Sequence, residues 1–442
     1  MIPTVQVIGA GLAGSEAALQ MADRGVRVKL YEMRPETGTG IHETPFAGEM
    51  VCSNSLGSTE LHSASGLLKA ELNLLGSRFL QSAAQFRVPA GSSFSVDRHQ
   101  LAENMEKCLA AHPAIEMIRE ETRELPEADA PVIVATGPLT SPVFARRLTR
   151  FTQRRHLFFY DATSPIIRCD SIDSSRLFRG TRYDKGEADF LNIPLDEKAY
   201  HEFVSNLVQA ETVALPDFEK GIFFEACLPV EEIARRGPMS LAFGPLKPVG
   251  LKDPHTGNMP FAAIQLRQDD IRESFYQMVG FQTRLKWGEQ QRVFRTLPGL
   301  QNAEFERFGR MHRNTYINAP LILDATGRAR KRDSLFFAGQ ISGVEGYVES
   351  ICSGLLAGRQ MARYVTGRPL LPLPRETACG SLLDYVSSAD WKNFRPTKFS
   401  FGLLAPLDSP REGRKPSKRE RKEQQAQRAL EILDQWIRRE EF

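Results

Sequence analysis

Two cysteines stand in settings where a thiol has chemistry open to it. Cys52 lies in "VCSNSLGS" beside Ser53, Asn54 and Ser55, among hydrogen-bonding side chains rather than apolar ones. Cys227 lies in "FFEACLPVEEIARRG", where Pro229 opens a short helical segment whose positive amino end favours a thiolate. Either suits a nucleophile or an acid–base group, although a free cysteine is more commonly a small buried hydrophobe. Ahead of both comes "GAGLAG": Gly9, Gly11 and Gly14 form G-x-G-x-x-G around Ala10, Leu12 and Ala13, and Glu32 follows 18 residues beyond the last glycine. Such glycines let a strand turn into a helix and bring backbone N–H groups against a pyrophosphate, while the acid meets a ribose hydroxyl.

A second glycine-rich stretch, "FAGQISGVEGYVES", places Gly339, Gly346 and Tyr347 at another strand-to-helix junction. One ligand spanning both junctions suits FAD better than the shorter NAD. Tyr347 falls where it would stack near a flavin ring or pack within its helix.

These residues need a scaffold. Val5, Val7 and Ile8 form a buried-strand run, Val26, Val28, Leu30 and Tyr31 form another, and Ala17, Ala18, Met21 and Ala22 face a helix between them. The same strand-then-glycine pattern recurs in "APVIVATGP" (130–138) and "DSLFFAGQISG" (333–343). The expectation is an α/β fold: a doubly wound, Rossmann-like FAD-binding domain from 1–150 and 301–442, discontinuous in sequence. An α+β domain from 151–300 is inserted into it. After "LPLPRET" a basic tail, about 408–442, ends in an amphipathic helix with Ala426, Leu430, Leu433 and Ile437 on one stripe.

Composition bounds the rest. A chain of 442 residues, 41% hydrophobic and 25% charged, fits a globular enzyme of more than one core. No apolar run is long enough to span a bilayer, and "MIPTVQVIGAG" lacks the basic start and long apolar middle of a signal peptide. That points to the cytoplasm and away from membranes. The 6 cysteines show neither C-x-x-C pairs nor histidines at ligand spacing, so no metal site is expected. Net charge is only +3, but from Arg411 to Arg428 there are 8 Lys/Arg against 3 Glu. Arg235 and Arg236, with Lys247, Lys252, Phe243 and Phe261 near in sequence, suit RNA phosphates and an extruded base; a solvated face is the plainer alternative. No protein partner is evident.

Six ordered blocks then carry a resemblance: "VIGAGLAGSEAA", "VCSNSLGS", "RYDKGEADFLNIP", "FFEACLPVEEIARRG", "FGPLKPVGL" and "LFFAGQISGVEGYVESICSGLLAG". Together, from residue 4 to about 407, they closely resemble the bacterial folate- and FAD-dependent tRNA (uracil-5-)-methyltransferases. The resemblance implies that NAD(P)H reduces bound FAD. It implies too that 5,10-methylenetetrahydrofolate supplies a one-carbon unit, which passes by way of the flavin to C5 of the T-loop uridine, position 54 of tRNA. Cys227 matches the family cysteine that adds to C6 of the uracil; Cys52 matches the second cysteine, assigned to removing the C5 proton or handling the flavin-bound carbon. Uracil C5 is a poor nucleophile until a thiolate adds at C6, after which a base must take the C5 proton. The sister family of tRNA wobble-uridine enzymes shares the last block but has a long helical carboxyl domain for which this chain leaves no room. A general NAD(P)H-dependent flavin oxidoreductase accounts for the glycines and leaves both thiols idle. The chain departs from the family pattern at "FRPTKFSFGLL", where a Pro-Met-Asn version is usual.

Overall fold

The computed structural model describes residues 3–153, 157–184, 187–214, 228–407 and 416–442. Cys227 and residues 408–415 of the basic run lie outside them. The apolar run near the amino terminus becomes strand Val5–Ile8, whose neighbours on either side are Val28–Glu32 and Val132–Val134. Both pairings are parallel, and Arg332–Phe337 and Ile115–Arg119 extend the sheet on the two flanks, also in parallel. A short antiparallel strand, Arg328–Ala329, completes six. Strands buried on both faces need a continuous apolar sequence, and Val132, Ile133 and Val134 are wholly buried. The doubly wound α/β expectation holds, with strands drawn from both ends of the chain.

Helices Leu12–Ala22 and Tyr347–Val365 pack closely on one another over this sheet. Small residues permit the approach: a Cβ added at Gly354 would fall 2.3 Å from the Ala13 carbonyl oxygen, and one at Gly358 would fall 2.6 Å from that of Ala17. Neither glycine belongs to a turn; both serve helix contact.

A second sheet of six strands, antiparallel throughout, runs in the order Phe178–Arg179, Phe190–Leu195, Ala262–Gln268, Phe275–Met278, Ile166–Arg168, Phe305–Arg307. Its apolar face packs with helix Glu197–Gln209 into a core of its own, around Tyr200, Phe203, Tyr276, Phe281 and Phe294. Between the two sheets lies an antiparallel pair, Leu157–Ala162 with Met311–Tyr316. The carboxyl-terminal helix Lys418–Glu440 starts with a capping box between Ser417 and Glu420. Its buried stripe is Ala426, Ala429, Leu433 and Trp436, with Leu430 and Ile437 half-buried at its edge. No helix among the described residues is long and apolar enough to cross a membrane.

Candidate active site

Two stretches at opposite ends of the chain meet at one cleft. Gly9, Gly11, Leu12 and Ala13 line it with Glu32, and Gly339 and Tyr347 line it from the other side. Ala10, Gly14 and Gly346 stand behind this wall. Gly9 has φ +99°, and a Cβ there would lie 2.6 Å from the Ala135 carbonyl oxygen. A Cβ on Gly14 would lie 1.8 Å from the Gly9 oxygen, so glycine is the residue that lets helix meet strand. At Gly11 an added Cβ meets nothing within 4 Å, because that position opens into the cleft.

The cleft brings opposite charges together. Helices Leu12–Ala22 and Tyr347–Val365 both begin at it, so two positive amino ends face its interior. Beside the first of these ends, Glu32 Oε2 accepts from the Ala10 N–H at 3.0 Å, while Arg34 donates to Oε1 at 2.9 Å through Nε. Arg34 also reaches Glu49 at 3.0 Å. Burial opposes ionisation of Glu32, but Arg34 and the backbone N–H groups outweigh it and hold the carboxyl below its ordinary pKa. An ionised carboxylate and paired helix ends, lining about 1000 Å³ of partly open space, fit a dinucleotide of the length of FAD.

Cys52 follows Val51, which lines this cleft. The Tyr347 hydroxyl accepts from the backbone N–H of Cys52 at 2.7 Å and of Ser53 at 3.2 Å, so the ring that lines the cleft also holds the thiol's loop. The Cys52 carbonyl accepts from Gln277 Nε2 at 2.8 Å, and Asn54 Nδ2 donates to the Gln268 carbonyl at 2.9 Å. These bonds tie the loop to the antiparallel sheet. Stacking near a flavin ring is one expectation for Tyr347; its observed hydrogen bonds give it the further task of fixing Cys52.

Several residues around the thiol carry no signal of their role in the sequence. Cys52 Sγ lies 3.9 Å from Asp161 Oδ2, and His312 Nε2 lies 4.0 Å from the same oxygen. Arg98 bridges to Asp269 at 3.0 Å, and Arg307 reaches Glu43 at 3.5 Å. Burial pushes the Cys52 thiol well above its ordinary pKa, the charges of Asp161 and Glu345 add to the rise, and Arg307 opposes it. A thiol in this setting is a neutral S–H until something takes its proton.

The arginine pair lies outside this cleft. Arg235 and Arg236 are exposed at the end of the short helix Val230–Arg235, and Arg235 pairs with Glu232 at 2.8 Å. Phe243 is 78% exposed, whereas Phe261 packs against Tyr200 and His201.

Comparison with known proteins agrees with this geometry. A family model described as glucose inhibited division protein A matches residues 4–369. A methylenetetrahydrofolate–tRNA-(uracil-5-)-methyltransferase, TrmFO, of Anoxybacillus flavithermus is 49% identical over 435 residues, covering 98% of this chain and 99% of its own. The TrmFO of an Exiguobacterium species is 51% identical over 433 residues, covering 98% of both. The chain belongs to the TrmFO family of folate-dependent tRNA (uracil-5-)-methyltransferases. Among solved structures, Aquifex aeolicus GidA superposes with a TM-score of 0.68 at 17% identity, covering 98% of this chain and 73% of GidA. That likeness establishes the shared fold. TrmFO and GidA proteins are FAD-dependent flavoproteins, and the cleft described above is where this TrmFO chain has the residues to hold FAD.

Proposed function

We propose that this protein forms 5-methyluridine at position 54 of the tRNA T loop, in the cytoplasm, with NAD(P)H as reductant and 5,10-methylenetetrahydrofolate as carbon donor. FAD supplies the redox chemistry that turns the donor's methylene group into a methyl group. The chain's own residues do the rest. Cys227 adds to C6 of the uracil, which raises electron density at C5; Cys52 then serves the departing C5 proton. Tyr347 positions Cys52 against the cofactor, and the glycine turns with Glu32 seat the dinucleotide. In this reading residues 1–150 and 301–442 bind FAD, while 151–300 approach the tRNA. Arg235 and Arg236 supply phosphate contacts that orient the T loop without reading its sequence.

The observation that carries the reading is the 2.7 Å bond from the Cys52 backbone N–H to the Tyr347 hydroxyl, because it ties the loop that bears the thiol to the wall of the cofactor cleft. A plain flavin oxidoreductase has no use for that link. The test is 5-methyluridine formation in a T-loop transcript from labelled methylenetetrahydrofolate, with NADH and NADPH compared. Cys227→Ala should abolish product while FAD and tRNA still bind. Product formed from S-adenosylmethionine alone would sink the proposal.

A further inference from the structure

We propose that Asp161 and His312 form a proton relay behind Cys52, drawing off the thiol's proton and delivering it to the cleft beside Met311 and Arg313. This inference rests on the role of Cys52 given above and adds two positioning residues to it.

The geometry is set by sheet register. Asp161 and His312 are direct partners across the antiparallel strands Leu157–Ala162 and Met311–Tyr316. Asp161 Oδ1 accepts from the Ala162 N–H at 2.7 Å, which fixes the carboxylate and leaves Oδ2 between Cys52 Sγ and His312 Nε2. The sulfur, a carboxylate oxygen and a ring nitrogen all lie within 4.8 Å of one another. Asp161 is 4% exposed and His312 is 7% exposed. The other ring nitrogen, His312 Nδ1, is buried without a hydrogen-bond partner, although a buried imidazole with a purely structural role ordinarily satisfies both nitrogens. His312 also lines a second cleft, shared in part with the first through Thr39 and Pro138–Ser141. Thiol, carboxylate and imidazole therefore follow one another from Cys52 to the wall of the second cleft.

The chemistry requires such a path. Neutral Cys52 cannot accept the C5 proton until it loses its own, and after the transfer it must be reset. In the first step the S–H bond breaks and an O–H bond forms on Asp161. That proton then moves to His312 Nε2, and Nδ1, which has no acceptor within the protein, passes one to a water admitted from the adjoining cleft. In the second step the C5–H bond breaks, a new S–H bond forms, and the electron pair stays on the pyrimidine. No oxidant or reductant enters either step. The gaps of 3.9 and 4.0 Å are about 1 Å longer than transfer demands, a slack that catalytic hydrogen bonds commonly take up once substrate is bound. Burial keeps His312 below its ordinary pKa, against the pull of Asp161 and with Arg307 assisting, so the ring is neutral and able to accept. Glu345, Arg307 and Tyr347 face Cys52, and Arg307 and His42 face His312; these are the charges that shape any pH profile.

The test uses the full-length FAD-loaded protein and T-loop tRNA carrying deuterium at C5 of the target uridine. Asp161→Asn and His312→Gln should each slow methylation about 100-fold, with KM for tRNA and flavin reduction by NAD(P)H unchanged. Both variants should show a primary isotope effect at C5 smaller than the parent's, because the step they slow precedes C5–H cleavage, and imidazole should partly restore His312→Ala. A purely structural role would move FAD content or KM instead. Should Asp161→Asn lose FAD, the His312 variants and the imidazole rescue decide the matter. Full activity in both variants, beside an inactive Cys52→Ser, would overturn the relay alone. An active Cys52→Ser would overturn the reading of Cys52 on which it stands.

Discussion

The cofactor cleft and the thiol pocket sit side by side and are built by opposite means. The cleft is a backbone construction in which glycines remove side chains so that helix ends and N–H groups reach the ligand. The pocket around Cys52 is a side-chain construction, with Asp161, Gln277, Arg307, His312 and Tyr347 arriving from strands and helices far apart in the chain. A backbone site resides in a few contiguous residues and tolerates little change. A side-chain site depends on how separate elements register, and its members can be altered one at a time.

The largest effect should come from breaking the backbone construction. Gly14→Val drives a side chain into the Gly9 carbonyl, a rigid neighbour, and should cost about 3 kcal/mol or more together with the bound flavin. Absorbance of the purified protein and its thermal melt check this; a yellow, stable variant would erase the contrast.

At the seam of the two regions stands Glu345, pushed up to about 8, first by burial and then by the charge of Asp161. Unfolded, it ionises near its ordinary 4.5, so between 4.5 and about 8 the folded chain keeps a proton that the unfolded chain has released. Stability from this group is therefore complete below that window and is lost as pH rises through it. Glu345→Gln should stabilise by about 1–2 kcal/mol near pH 9 and by almost nothing near pH 5, measured by denaturant titration.

The side-chain construction should bend rather than break. Tyr347→Phe leaves the N–H groups of Cys52 and Ser53 without their acceptor and should slow methylation roughly five- to tenfold, about 1 kcal/mol, with FAD retained. Loss of flavin instead would mean that Tyr347 belongs to the cofactor site alone. Smallest of all, Arg235→Ala should raise KM for tRNA about two- to threefold and reduce the salt dependence of binding by roughly one phosphate contact. An unchanged salt slope would leave Arg235 with its intramolecular partners, Glu232 and the Val208 carbonyl.

The same contrast decides which features are legible in the sequence. Gly9, Gly11, Gly14 and Glu32 announce a strand, a turn, a helix and a second strand because all four lie within one βαβ unit. The parallel strands around Val132 and Leu335 are legible for a similar reason, since each is a short apolar run closed by glycine. Asp161 and His312 are not legible. Nothing in "LFFYDA" or "MHRNTY" states that the strands pair, still less that these two positions face each other, because register is decided by the whole fold. Gly354 and Gly358 are equally mute, for a glycine inside a helix is informative only when its neighbour is known. The apolar stripe of the last helix lies slightly to one side of the expected one because Trp436, not Ile437, takes the innermost place.

The contact of Gly354 with the backbone of Ala13 has a bearing on how the protein is made. On the ribosome the dinucleotide fingerprint emerges first, yet one wall of its cleft is among the later segments to leave the exit tunnel. The cleft is thus closed by two stretches that translation delivers far apart in time, and Gly354 must itself have left the tunnel before helix can meet helix.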